Sequence, residues 1–492
     1  MKNIFIIWMP EMYLALAIVF LLGYGVIYSK LEGQLSQQRK ITWLSILTLM
    51  FTIFMTYEIK DINITQGLIG TDNAINMVKL IIMLSSIVIL LMSLDYYKSR
   101  DLNVVKFEYP ILILLTTLGI LLLISSKDLI TLYLSIEIMS LSSYILATIK
   151  RDSQFSTEAG IKYFILGAVS SGIILFGCAI LYTLTGETSF QGLSAYIWYA
   201  QNDDIIGLAV GATFIITALL FKLAAAPFHM WAPDVYEGSP TIVTGLFAIV
   251  PKLAIFGTLI GLLFGPFANL LSQLQPLIFI SAILSVLVGS FGAINQTKIK
   301  RLVAYSAIGH TGFILLGIAT GSLESLQAAY IYIIVYIIMS CNMFALILSV
   351  FGAGVSNYIT QLSGLSRSNP ILAISFALSL LSIAGIPPLA GFFSKYFIFV
   401  SLIEAQFISF ALIAIIASVI ASFYYIRIIK WIYFKDSLDF HLKDLGSLSP
   451  HQTIGSIKSL ILGSTLYFIL TFMFYPNPLI SFINQAAISA LI

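Results

Sequence analysis

Charge is what this chain has least of. Asp, Glu, Lys and Arg make up only 10% of its 492 residues, against about 25% in an average soluble protein. Apolar residues reach 59%, where about 45–50% is usual. So little polar surface cannot cover a soluble core of this length, which excludes a soluble enzyme. Disorder is excluded as well, because it needs low hydrophobicity and many charges. Cysteine is almost missing. Cys178 and Cys341 both sit inside apolar runs, form no metal-ligand or cluster spacing, and read as small apolar fillers. No nucleotide-binding glycine pattern stands in a strand-to-helix context. The net charge of +3 is too small to argue for nucleic acid or an acidic partner. Long polar stretches are lacking too, the longest lying around 435–458. Any chemistry therefore lies in or near a bilayer.

What is present is a series of long apolar runs. A spanning helix needs about 20 mostly apolar residues. Candidate spans lie near 9–28, 41–57, 74–97, 107–125, 128–149, 160–184, 205–226, 241–263, 275–296, 302–320, 325–350, 370–402, 407–430 and 459–483, fourteen in all. The runs are continuous rather than alternating, so the fold class expected is an all-α polytopic membrane protein and not a β-barrel. Loop charges set the orientation, because Lys and Arg collect on the cytoplasmic or matrix side. One side holds Lys30, Arg39, Lys40, Lys98, Arg100, Lys106, Lys150, Arg151, Lys298, Lys300, Arg301, Arg367, Lys430, Lys435, Lys443 and Lys458, and the other only Lys2, Lys60 and Lys127. A missed helix would scramble that asymmetry. Both termini then lie on the positive-poor side, and the first span reads as uncleaved, having no basic leader with a small-residue cleavage site after it.

Six basic residues fall inside spans: Lys79, Lys162, Lys222, Lys252, Lys395 and Arg427. Glu137 is the clearest buried acid, about ten residues from either end of its span. A charge at mid-bilayer costs about 2.5–3.5 kcal/mol on insertion scales, so such residues are usually functional and usually paired. Glu137 is too short to reach the interface and is expected to pair with a lysine from another helix. Lys222, Lys252 and Lys395 lie deep in their spans. Lys79, near the start of its span, fits either extension toward the interface or an interior role, and Arg427 is placed to extend toward the interface. Lys162 reads as reaching the positive side or pairing with Glu137 or Glu158. Desolvation disfavours the charged form of a lysine and a nearby carboxylate restores it. A row of such groups linked by water is a proton relay, here Glu137, Lys222, Lys252 and Lys395, with His310 able to join or to act as a plain core histidine.

Pro227 falls in the seventh span, and Gly385, Pro387, Pro388 and Gly391 interrupt the twelfth, which is too long for one straight helix. Proline breaks a helix and frees a carbonyl. Interrupted segments at matching places in two halves point to a transporter core. The breaks are five spans apart, and five is odd, so the second unit sits inverted. The organisation expected is N-terminal spans 1–3 in 1–104, a first five-helix unit in 105–264, a second inverted unit in 265–434, and a loop with the last span in 435–492.

FHMWAPDVYEGSPT at 228–241, KIKRLVAYSAIGHTGF at 298–313 and GIPPLAGFFSKY at 385–396 resemble the antiporter-like subunits of respiratory complex I and their cation/proton antiporter relatives. The resemblance covers roughly 105–430. Within that family the chain is most similar to the subunit 2 branch, mitochondrial type, on STEAGIKYFILGAVSSGIILFGCAILY at 156–182. Lys395 stands where the subunit 4 type typically carries a glutamate, and the chain ends soon after span fourteen, without the long lateral helix of the subunit 5 type. The resemblance implies that Glu137, Lys222, Lys252 and Lys395 form the proton-translocation path, with His310 and Lys162 as lesser candidates. It implies no cofactor in this chain. NADH, FMN, iron–sulfur clusters and ubiquinone would belong to partner subunits of complex I, and the immediate partners would be neighbouring antiporter-like and small membrane subunits and the lipid bilayer. The location implied is the mitochondrial inner membrane, or the bacterial plasma membrane. Pro233, Gly238 and Pro240 also fit the plain role of shaping a re-entry loop. Two other readings share these residues: a sodium/proton antiporter component, disfavoured by the 156–182 stretch, and a structural subunit whose charges only hold helices together.

Overall fold

Inside a bilayer every backbone N–H and C=O must be satisfied within the segment, so continuous apolar runs fold as helices. The computed structural model describes residues 2–28, 34–58, 67–96, 107–200, 202–351, 358–435 and 455–491. Its α-helices are α1 (Lys2–Tyr28), α2 (Gln34–Glu58), α3 (Asn73–Tyr96), α4 (Glu108–Ser125), α5 (Leu129–Ala147), α6 (Gln154–Thr185), α7 (Phe190–Tyr199), α8 (Asn202–Lys222), α9 (Trp231–Gly238), α10 (Thr241–Phe264), α11 (Leu271–Ile294), α12 (Ile299–Ala319), α13 (Leu323–Phe351), α14 (Leu365–Ser368), α15 (Pro370–Ala384), α16 (Ala390–Glu404), α17 (Ile408–Phe434), α18 (Ser456–Thr471) and α19 (Asn477–Leu491). Extended pairing among the described residues is limited to three isolated bridges, Ile69 with Ser126, Asp128 with Ser189 and Lys298 with Tyr358. The chain is all-α.

Among the described residues, twelve helices are long and apolar enough to cross a membrane, and α15 and α18 are shorter apolar helices. The seventh and twelfth runs are interrupted as the prolines predict: α8 stops at Lys222 and α9 starts at Trp231, while α15 stops at Ala384 and α16 starts at Ala390. Three features depart from the sequence reading. The last run, 459–483, is two helices, α18 and α19, divided ahead of Pro476 and Pro478, which lack the amide donor a continuous helix needs. The short helix α7 lies in a stretch read as a loop. Helix α6 has 32 residues, about 48 Å at 1.5 Å per residue, so it outruns a hydrocarbon core of about 30 Å. Lys30, Lys60, Lys98, Arg100, Lys106 and Lys443, with residues 436–454 of the polar stretch, lie outside the described residues.

Small residues decide how closely the helices approach, because lipid supplies no hydrophobic drive for helix association. Gly289 of α11 faces Gly309 of α12 so closely that a Cβ on Gly289 would lie 2.4 Å from the Gly309 nitrogen. Gly119 of α4 approaches α5 in the same way, its Cβ position 2.7 Å from the Met139 nitrogen. The packing pairs recur in order. α4 lies on α5 and α10, α5 on α6, and α6 on α8; α11 lies on α12 and α17, α12 on α13, and α13 on α15 and α16. The bridges recur too, since Asp128 and Ser189 flank α5 and α6 as Lys298 and Tyr358 flank α12 and α13. The most enclosed helices are α10, α12 and α13, whose apolar windows are each 89% buried within the chain.

Candidate functional site

Helix α5 carries Glu137 and Tyr144 seven residues apart, two turns along one face. Glu137 is partly buried, and its Oε1 is shut off from solvent with no hydrogen-bond partner. The buried Lys222, last residue of α8, donates from Nζ to Tyr144 Oη at 3.3 Å and stands 5.7 Å from the centre of that ring. The expected ion pair between Glu137 and a lysine does not form. Tyr144 takes the lysine instead, because seven residues on α5 span about 10 Å and set the carboxylate further back. Tyr163 of α6 packs edge-on to Tyr144 and stacks on Trp231 at 4.8 Å.

The break after Lys222 is satisfied by side chains. Trp231 Nε1 donates to the Phe221 carbonyl at 2.8 Å, and the Ala226 amide donates to Ser285 Oγ at 2.7 Å. Gly238 lies so close to α6 that a Cβ would meet the Phe155 carbonyl oxygen at 2.4 Å. The 228–241 motif thus holds the break open with its backbone groups paired, as irregular backbone at membrane depth requires.

The other two buried lysines bind carbonyls. Lys252 of α10 donates to the Ala307 carbonyl of α12 at 3.2 Å, and Lys395 of α16 donates to Ala384 at 2.7 Å and Ile383 at 3.3 Å. Those last two carbonyls end α15, where the helix dipole is negative and favours a cation. An aromatic face lies near each ammonium as well, Tyr336 at 5.9 Å from Lys252 and Phe313 at 5.3 Å from Lys395. His310 shares a 2.7 Å hydrogen bond between Nδ1 and Tyr332 Oη. Tyr336 donates to the Ala248 carbonyl of α10 at 3.2 Å. Two small cavities of about 20 and 10 Å³ are both lined by His310; Ala307 and Tyr336 line the first and Lys395 the second. A cavity of about 10–15 Å³ admits one water, so His310 borders two small spaces of about that size, one lined also by Ala307, which accepts from Lys252, and the other by Lys395.

The other interior charges do not join this row. Lys162 is 43% exposed and pairs with Glu158 at 2.8 Å and Asp234 at 3.0 Å, not with Glu137. The early start of α6 at Gln154 carries it beyond the buried segment. Lys79 takes the interior role, forming a 2.6 Å ion pair with Glu11 of α1, the two side chains 2% and 3% exposed. Arg427 donates to the Ile294 and Gln296 carbonyls and so caps α11 instead of reaching outward. Lys300, read as a loop charge, is buried and donates to the Ser239 carbonyl at 2.7 Å at the end of α9. Beside it Glu237 bonds Lys298 and Arg301, with Arg301 Nη1 at 3.0 Å, and Arg301 also reaches Asp234 at 3.3 Å. Partial burial alone would raise the Glu237 carboxyl, but hydrogen bonds from Lys298 and Arg301 outweigh it and hold the group below its usual value.

Sequence reading passed over Tyr144, Tyr332, Tyr336 and Glu11. Tyr144 was findable at two turns from Glu137, and Tyr332 and Tyr336 as an i,i+4 pair beside the histidine helix. Nothing local marks Glu11.

Residues 126–421 match the family described as NADH:quinone oxidoreductase/Mrp antiporter, TM. NADH-ubiquinone oxidoreductase chain 2 of Marchantia polymorpha is 40% identical, with 98% of each chain covered. NADH-quinone oxidoreductase subunit N of Paramagnetospirillum magneticum is 38% identical, over 97% of this chain and 96% of that one. Respiratory complex I from Thermus thermophilus with bound Aureothin contains a chain of the same fold, with a TM-score of 0.77 at 25% identity, covering 96% of this chain and 98% of that one. With twelve helices able to cross a membrane, this is a multi-pass membrane protein, and the full-length likeness together with the matched span shows that the chain belongs to the NADH:quinone oxidoreductase/Mrp antiporter family of membrane subunits.

Proposed function

We propose that this chain is a membrane-arm subunit of a proton-translocating NADH:quinone oxidoreductase and moves protons along Glu137, Lys222, Lys252, His310 and Lys395. The observation that carries the reading is that Lys222, Lys252 and Lys395 are buried without a carboxylate in ion-pair contact, each held by a hydroxyl or carbonyl oxygen. A lysine so held keeps its charge only on weak support, and a small movement of that oxygen lets it pass the proton on. Tyr144 would relay between Lys222 and the Glu137 side of the row. His310 would relay between Lys252 and Lys395 through the water-sized cavities. Two five-helix units, residues 105–264 and 265–434, would each supply a broken helix and a central lysine; the recurring packing pairs support this. The redox chemistry would take place in partner subunits that hold NADH, FMN, iron–sulfur clusters and ubiquinone, in a mitochondrial inner membrane or a bacterial plasma membrane.

The test is Lys222→Ala in the native membrane. Assembly is checked first on a native gel stained for NADH oxidation. The expected outcome is an assembled complex whose NADH-driven proton uptake and coupled quinone reduction fall about a hundredfold or more, within the usual scale of about 10²–10⁴ for a positioned proton-transfer group. Normal coupled pumping in the assembled variant would overturn the relay. Sodium-driven proton exchange without NADH would favour the antiporter reading that the family description also spans.

A further inference from the structure

At the positive-poor end, away from the relay, lies a cavity of about 530 Å³ between α3, α7, α10 and the end of α19. That size falls within the usual range for small-molecule sites, about 300–1,000 Å³. Its wall is apolar over Ile75, Val78, Ile260 and Leu262. Two charged residues also line it, Asp72 just before α3 and Lys127 between α4 and α5, joined at 3.0 Å and each about one-fifth exposed. Both lie at helix ends, where an apolar run gives way to polar chain. The neighbouring α7 ends in Trp198 and Tyr199, 71% and 82% exposed, the residue types that gather at membrane–water interfaces. α10 leaves room by carrying Gly257, Gly261 and Gly265 along the cavity, and a Cβ on Gly261 would meet nothing within 4 Å.

We infer that this cavity holds one phospholipid with a zwitterionic phosphoethanolamine headgroup. Its phosphate would take Lys127 and its ammonium Asp72, so the headgroup slots into an existing pair of opposite charges, and one acyl chain would run along Ile75, Val78 and Ile260. An anionic lipid without an amine would meet Lys127 but would set its charge against Asp72. The inference is independent of the proton relay, since none of its residues belongs to that row.

The test places a thiol in the cavity by Gly261→Cys in the assembled complex and follows its reaction with a membrane-impermeant maleimide. Labelling is expected in delipidated complex and lost in nanodiscs of phosphatidylethanolamine, with weak protection in nanodiscs of phosphatidylglycerol. Adding Asp72→Asn is expected to abolish the difference between the two lipids, and Lys127→Gln to weaken protection by both. Native mass spectrometry should find phosphatidylethanolamine retained by the parent complex. Equal labelling with and without lipid would overturn the inference in favour of a water-filled vestibule. A thiol unreactive even after delipidation would overturn it in favour of a neighbouring protein chain that closes the cavity. NADH-driven pumping in Gly261→Cys reports on the relay separately.

Discussion

Tyr144 is the hydroxyl on which Lys222 rests, 3.3 Å away, and it lies on the same face of α5 as Glu137. Removing that oxygen without removing the ring isolates its role. Tyr144→Phe is expected to leave the complex assembled and to slow NADH-driven proton uptake about fivefold, the equivalent of about 1 kcal/mol for one hydrogen bond. That is a milder effect than Lys222→Ala, and an unchanged uptake rate would dismiss the tyrosine as a relay. Gly167 of α6 gives a second handle on the same contact, because a Cβ there would lie 2.0 Å from Tyr144 Oη. Gly167→Ala should push the hydroxyl away from Lys222 and mimic Tyr144→Phe in the same uptake assay. Glu11 and Lys79 behave differently. Removing one member of a buried pair strands the other charge and costs about 3–5 kcal/mol. Glu11→Gln or Lys79→Met alone is therefore expected to lower the amount of assembled complex on a native gel, and the double variant to recover most of it. Equal loss in the single and double variants would mean that the pair is not what holds α1 on α3.

At the scale of the element, each break is held by its own cap. Gly385 at φ +88° turns the chain out of α15, and Lys395 returns from α16 to the carbonyls just freed. Gly391 allows this, since a Cβ there would lie 1.8 Å from the Ser382 carbonyl oxygen. Gly391→Ala must part α15 from α16, and its expected outcome is loss of assembly rather than uncoupling. Helix α9 is tied to α12 by Glu237, Lys298, Arg301 and the buried Lys300. The Glu237 carboxyl is held below its usual value, so its stabilising effect is full above the ordinary glutamate range, about 4.3, and is lost as pH falls through the depressed value. Glu237→Gln should therefore lower the thermal stability of the complex at neutral pH. The gap to the parent should close as the medium is acidified, and a gap that widens in acid would contradict this account of the tie.

For the whole molecule, α10 and α12 lie side by side, and Lys252 reaches across that contact to Ala307. The relay proposed draws on both of the proposed five-helix units, so substitutions in either should lower the same proton uptake. Solubilised gently, the chain is expected to migrate with a large NADH-oxidising assembly, detected by in-gel activity and mass spectrometry. Migration in a smaller assembly without that activity would move sodium-driven exchange to the front.

Hydropathy was enough to mark an all-helical membrane chain and twelve helices long enough to cross among the described residues, because a helix must run the width of the hydrocarbon and lipid tolerates no other backbone there. Proline spacing located both broken helices, and burial cost singled out Lys222, Lys252 and Lys395. The end of the chain was misread because length and hydropathy hid the turn before Pro476, and α7 was missed because ten residues give too short a run. The partners of the charges could not be read from the sequence at all. Lys162 was legible as a basic residue near a span end, but only packing decided that it meets Asp234 on α9. Lys79 meeting Glu11, Lys252 meeting a carbonyl on α12, and the cavity lined by Asp72 and Lys127 depend on which helices adjoin. The sequence by itself determined that this chain lies in a membrane, that its seventh and twelfth runs are broken, and which lysines lie deep in their spans. Tertiary structure alone decided which of those charges face one another, because that depends on small-residue contacts between helices far apart in the chain.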